Sequence, residues 1–139
     1  MADLAVTAAE VGLVDPLKAE VHSGLAAEAI TKGQAVYQTS TGTFGVADAN
    51  VAGKQQVRGV ALEDAAAGQA VDLVKRGLVY GFTLTSQNHD TPVYLSDTAG
   101  ALADAAGTLA VPCGLVVALA DKAKTKVLWL ECRWAADFV

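Results

Sequence analysis

Few residues of this chain could do chemistry, and their spacing argues against most of it. Cys113 and Cys132 are the only two cysteines. They lack the close spacing of a zinc half-site and have no third and fourth ligand nearby, so both read as buried thiols within apolar, strand-like runs. His22 precedes Ser23-Gly24, and His89 lies in Ser86-Gln87-Asn88-His89-Asp90; both read as solvated loop histidines. Ser86, His89 and Asp90 are the residue types of a hydrolytic triad, but a triad is assembled across a fold and not from neighbours in one loop. The glycines at Gly68 and Gly100 build neither a GxxxxGK[ST] loop nor a strand-glycine-helix fingerprint, and they read as turns. Asp97, Asp104 and Asp121 miss the alternate-position spacing that gathers oxygen around calcium, so they read as carboxylates at hairpin ends. Lys122, Lys124 and Lys126 concentrate positive charge in one turn, either a solvated hairpin tip or a contact for a carboxylate-bearing partner. The residues therefore assign no catalytic group, metal or cofactor, and the expectation is a protein that is not an enzyme.

Composition narrows the class further. The 139 residues are 53% hydrophobic, 18% charged and 6% aromatic, which suits one domain with a core of small aliphatic side chains. A formal charge of -5 and a pI near 4.8 repel a phosphate backbone, so nucleic acid is not an expected partner. No apolar run approaches the roughly 20 residues that span a bilayer, and Met1-Ala2-Asp3 does not open a secretory signal, so no membrane is expected either.

The elements that would position these residues are short strands. Thr7-Ala8-Ala9-Glu10 reads as a capping box opening a very short helix over Val11 to Val14, closed by Asp15-Pro16. Leu17 to Ala29 has no firm period, and residues 1–28 read as an extended N-terminal arm carrying that helix. From residue 29 to 139 strands alternate with turns: Val36 to Thr39, Thr43 to Val46, Val57 to Leu62, Ala70 to Val74, Leu78 to Leu84, Pro92 to Ser96, Gly114 to Leu119 and Lys126 to Cys132. An internal repeat relates residues 29–77 to 78–134. Val36-Tyr37 recurs as Val93-Tyr94, Ala47-Asp48 as Ala103-Asp104, Val60-Ala61-Leu62 as Val117-Ala118-Leu119, and Ala70 to Val74 as Lys126 to Leu130. The expected fold is all-β, a small barrel or sandwich with a pseudo-twofold repeat. Tyr37, Tyr94 and Trp129 then belong to core or sheet-face packing. Trp134 and Phe138 follow the last strand, and either fold back onto the barrel or bind a neighbour.

Ala29 to Val36, Val57-Arg58-Gly59-Val60-Ala61-Leu62 and Ala66 to Gly77 together make the chain resemble the cement, or head decoration, proteins of tailed bacteriophages. The resemblance covers most of the chain and implies a structural virion protein. Such a protein binds the outside of the icosahedral head and stabilises contacts between major capsid protein subunits. The resemblance also implies a homo-oligomer, with a trimer favoured and a dimer as the alternative, and a place on the capsid exterior after synthesis in the host cytoplasm. The residues expected to meet the shell or a neighbouring subunit are Leu4, Val6, Trp134 and Phe138, with the arm of residues 1–9 lying along a neighbour. The competing expectation is a virion-displayed module that binds a host surface or carbohydrate.

Overall fold

β-Branched runs separated by glycine turns form ten strands in the computed structural model, which describes residues 3–119, 126–132 and 134. They are β1 (Gly12–Leu13), β2 (Glu20–Leu25), β3 (Ala35–Gln38), β4 (Phe44–Val46), β5 (Val57–Ala61), β6 (Ala70–Tyr80), β7 (Pro92–Leu95), β8 (Leu102–Ala103), β9 (Pro112–Ala118) and β10 (Lys126–Glu131). All ladders are antiparallel, and the hydrogen-bonded path runs β4-β3-β5-β6-β10-β9-β7-β8, with β1 and β2 also on β6. The protein is all-β, one antiparallel sheet curled into a half-barrel.

The long strand β6 organises the fold. Val74 stands opposite both Val21 of β2 and Val60 of β5, so those two strands occupy opposite edges. Arg76 stands opposite both Glu20 of β2 and Glu131 of β10, so β10 shares its edge with β5. The sheet therefore forks: β5 leaves the first half of β6 and β10 leaves the second. Gly77 sits at the fork with φ 146, and a β-carbon there would come within 2.9 Å of the Ala19 Cβ, so a side chain is excluded on two counts. Sequence reading splits this strand at Lys75-Arg76-Gly77; the structure shows one strand bent there.

The main core fills the fork with Val57, Val60, Val74, Val79, Val93, Leu95, Leu102, Val116, Leu128 and Leu130. At the open end the end hairpins meet: Gly100 N donates to Ala47 O (2.7 Å), Ala49 N to Ser96 O (3.1 Å) and Leu109 N to Ala49 O (3.0 Å). A second, smaller cluster joins Val36, Phe44, Ala61, Val71 and Leu73 beneath Ala26, Ile30 and Ala65. The bridge between Ile30 and Ala65, closed by bonds of 2.8 and 2.9 Å, holds that cover in place.

The repeat is visible in the strand path, which reads as a palindrome about β6 and β10. Both halves carry the same irregularity, since the register shifts after Val36 where β3 meets β5 and after Val93 where β7 meets β9. This pairing equates Gly59 with Gly114 and Val57 with Pro112, two residues away from the sequence match of Val60 with Val117. The match slips because the sequence aligns Val60 with Val117, whereas the counterpart of Val60 in the ladder is Leu115 and the shared glycine carries the constraint.

Two N-terminal expectations are corrected. The capping box does not form: Thr7 makes no side-chain cap, and the helix is a single 3-10 turn, Ala8–Glu10, followed by strand β1. Asp15 opens a second 3-10 turn, Pro16–Lys18, instead of closing a helix, with its side chain accepting from Leu17 N. Nor do residues 3–28 stand apart as an arm. Leu4 N donates to Leu102 O (2.8 Å), Thr7 N to Gly81 O (2.9 Å) and Thr83 N to Ala5 O (2.9 Å), so the N-terminal segment satisfies its backbone on its own sheet.

Candidate contact surface

Strand β2, absent from the sequence reading, and the turn before it supply the three most exposed large apolar residues among those described. The side chains of β2 alternate across the sheet. Gly24 packs so closely on the Phe44 ring that a β-carbon would overlap it, and the His22 ring sits 5.9 Å from Phe44. That face lies on the Phe44 side, with Gly24 half-buried and His22 still exposed. Val21 and Leu25 look outward, 47% and 52% exposed, and Leu17 on the preceding turn is 97% exposed. Val21, Ser23 and Leu25 do follow a period of two, but the residues on the Phe44 side, His22 and Gly24, are the less apolar set, so the pattern reads inverted. The edge of β2 away from β6 carries no ladder among the described residues, and only its C-terminal end is bridged, where Ala26 lies beside Phe44 of β4 and Ala27 N donates to Phe44 O (2.7 Å).

Trp134 docks beside this strand. Its Nε1 donates to Arg58 O (2.9 Å), its ring lies 4.9 Å from His22, and Lys75 Nζ sits 5.2 Å from the ring centroid. The same Lys75 pairs with Glu20 at 3.1 Å. Of the two outcomes open in the sequence, Trp134 folds back, keeping 42% of its surface exposed. Phe138 lies outside the described residues.

The other expected contact residues separate. Leu4 is a core residue, 7% exposed, and its side chain is committed to this chain's interior. Val6 is 38% exposed and bridges Phe82. The segment is anchored by Ser96, the one fully buried polar residue among those described, whose Oγ donates to Asp3 Oδ1 and accepts from Thr98 N (2.9 Å). The structure thus brings Trp134 to β2 and leaves Leu4 and Val6 on a different part of the sheet.

Elsewhere the chemistry is structural. Ser86, His89 and Asp90 occupy an exposed loop after β6, where Asp90 adopts φ 65. Asp97 receives Thr108 through its backbone N (2.8 Å) and its Oγ1 (2.9 Å), which pins the turn before β9. Asp121, Lys122 and Lys124 lie outside the described residues. An open groove of about 380 Å³ runs past Thr7, Glu10, Tyr80, Phe82 and Lys126. Lys126 Nζ already donates to the carbonyls of Gln87 and Thr85, so its ammonium holds the groove wall. Among the described residues no three His, Cys, Asp or Glu side chains converge as a metal site. Both thiols are buried as expected; burial pushes Cys113 well above its ordinary value, with Cys132 adding to the rise, and pushes Cys132 up to about 12 against the pull of Arg58 and Lys75.

Fold and surface together define a small all-β protein, a curled half-barrel sheet whose strand β2 displays outward apolar side chains. No protein-family model, curated protein or solved structure matches the chain.

Proposed function

We propose that this protein is a structural component of a tailed-phage head, a cement protein that binds the outer surface of the icosahedral shell and ties major capsid protein subunits together. The observation that carries the reading is the outward row of Leu17, Val21 and Leu25 on and before an edge strand, outside both cores. Apolar side chains beside open main-chain groups suit an added strand from a neighbour, where backbone bonds give affinity and alternate side chains give selectivity. A shell presents the same site many times, so an oligomeric cement gains avidity from modest single contacts. The net charge of -5 fits an exterior position, where a basic surface would collect nucleic acid. In this reading Trp134 braces the contact strand, and Leu4 braces the fold.

The test is co-sedimentation with expanded, undecorated heads, comparing wild type with Val21→Glu/Leu25→Glu. Saturable binding lost in the double variant, with unchanged unfolding, supports the proposal; wild type left in the supernatant overturns it. The half-exposed Trp134 indole beside the Lys75–Glu20 pair favours a second reading, a carbohydrate-binding virion module. Glycan-array binding abolished by Trp134→Ala would establish that alternative.

A further inference from the structure

The two halves of the fold bury opposite faces of equivalent strands. In the first half Ala35, Val60 and Val74 form a cross-strand row inside the main core, while Val36, Ala61 and Leu73 face the second cluster. In the second half the equivalents of Val36, Ala61 and Leu73 are Val93, Val116 and Leu128, and these are the core residues. The main core is therefore a head-to-tail contact between unlike faces, and the packing departs from the twofold that the strand order suggests. Such a contact leaves one face of each half outside. The Val36 face is closed by Ala26, Ile30 and Ala65. The other face carries the row Pro92, Leu115, Trp129 and Leu78, paired strand to strand across β7, β9, β10 and β6, with Tyr94, Val117 and Tyr80 beside it. Pro92 is exposed, the other six are half-buried, and Val127, opposite Val117 on the same face, is buried; the two buried clusters lie on the other faces.

We infer that this second-half sheet face is a self-association surface that pairs with the same face of a second copy about a twofold axis. Closure argues for the twofold, because a head-to-tail chain of copies would need the Val36 face as the complementary patch, and that face is already covered. Charge argues for a second copy as the occupant. Bordering the apolar row, Arg76 stands between Glu131 and Glu20, with its guanidinium 5.4 Å from the Trp129 ring centroid and Glu131 Oε2 accepting from Trp129 Nε1 (3.4 Å). Glu20 is already paired with Lys75 of its own chain at 3.1 Å, which leaves Arg76 and Glu131, and one charge of each sign is self-complementary across a twofold: each Arg76 meets Glu131 of the other copy. A uniformly acidic or basic partner would leave one sign opposed. Trp129, Tyr94 and Tyr80 supply the large aromatic area that anchors interfaces.

The inference takes up the self-association part of the proposed function and not shell binding. The experiment is light scattering on a sizing column over a concentration series, with the wild type, Leu115→Lys, Arg76→Glu and the swap Arg76→Glu/Glu131→Arg. The wild type should weigh two chains, L115K one chain, R76E should dissociate about tenfold more readily, and the swap should regain the dimer. If circular dichroism shows L115K unfolded, R76E and its rescue decide. A wild type monomeric at every concentration, or an oligomer whose mass neither L115K nor R76E changes, overturns the inference. No capsid enters the experiment, so a monomer that still sediments with heads would remove this face alone.

Discussion

Replacing Gly114 with alanine should destabilise the protein more than any other single methyl addition to its sheets. A β-carbon at Gly114 would overlap the Trp129 carbonyl oxygen and lie 3.0 Å from its carbon and 3.1 Å from Leu130 Cα, all backbone of the adjacent strand β10. Backbone cannot rotate away as a side-chain end can, so β9 and β10 must part. Overpacking of this kind costs about 1–3 kcal/mol, and weakening the two flanking ladder bonds adds about 1 kcal/mol each, so about 3–5 kcal/mol is expected. At about 4 °C per kcal/mol for a chain of this size, Tm should fall by about 12–20 °C. Gly59, its equivalent in the first half, would press on Leu73 Cδ1, which can move, and on Val74 O at 2.7 Å, so Gly59→Ala should cost less, about 2 kcal/mol. Gly12 has nothing within 4 Å of such a carbon, and Gly12→Ala should be neutral or stabilise by about 0.5 kcal/mol through the unfolded chain. Urea unfolding of the three variants orders them. Equal costs at Gly114 and Gly12, or no cost at Gly114, would refute the shared close approach of strands that defines the repeat.

Ser96→Ala removes a buried hydroxyl that holds Asp3 and Thr98 N; it should cost about 1–2 kcal/mol and speed hydrogen exchange at Leu4, measured by mass spectrometry. Leu4→Ala should cost about 2–3 kcal/mol in urea unfolding because the side chain belongs to the core. The thiols give a pH dependence. Cys132 is raised from 9.0 to about 12 in the fold, so its stabilising contribution is complete below pH 9 and is lost as pH rises from 9 toward 12, where the unfolded thiol ionises first. Urea midpoints should therefore drop between pH 8 and 10 in the wild type, by up to about 1.4 kcal/mol per thiol, and drop less in Cys113→Ala/Cys132→Ala.

Much of the sheet is legible locally because β3, β4, β5, β7, β9 and β10 are apolar runs bounded by turn residues, and turns such as Gly42, at φ 87, and Gly100, at φ 77, need glycine. The repeat is legible because the same hairpin and bulge recur. What stays hidden depends on distant partners. Nothing near Leu4 reveals that Leu102 will take its backbone N–H, so a self-paired segment and a free arm share one sequence signature. The bend of β6 at Gly77 reads as a break, since a positive φ and the charged Lys75-Arg76 mark turns elsewhere. Strand β2 escapes because the residues it places beside Phe44, His22 and Gly24, are polar or small. Of the site residues, Trp134 was recognisable as an aromatic beyond the last strand, but its landing place on Arg58 and His22 was not.

The most direct measurement on the central claim is the stoichiometry of purified protein bound to expanded, undecorated phage heads in a sedimentation titration. Saturation at a fixed number of copies per major capsid protein, with the shell then resisting heat better than bare heads, is the predicted result. Protein that remains in the supernatant at every ratio would contradict it.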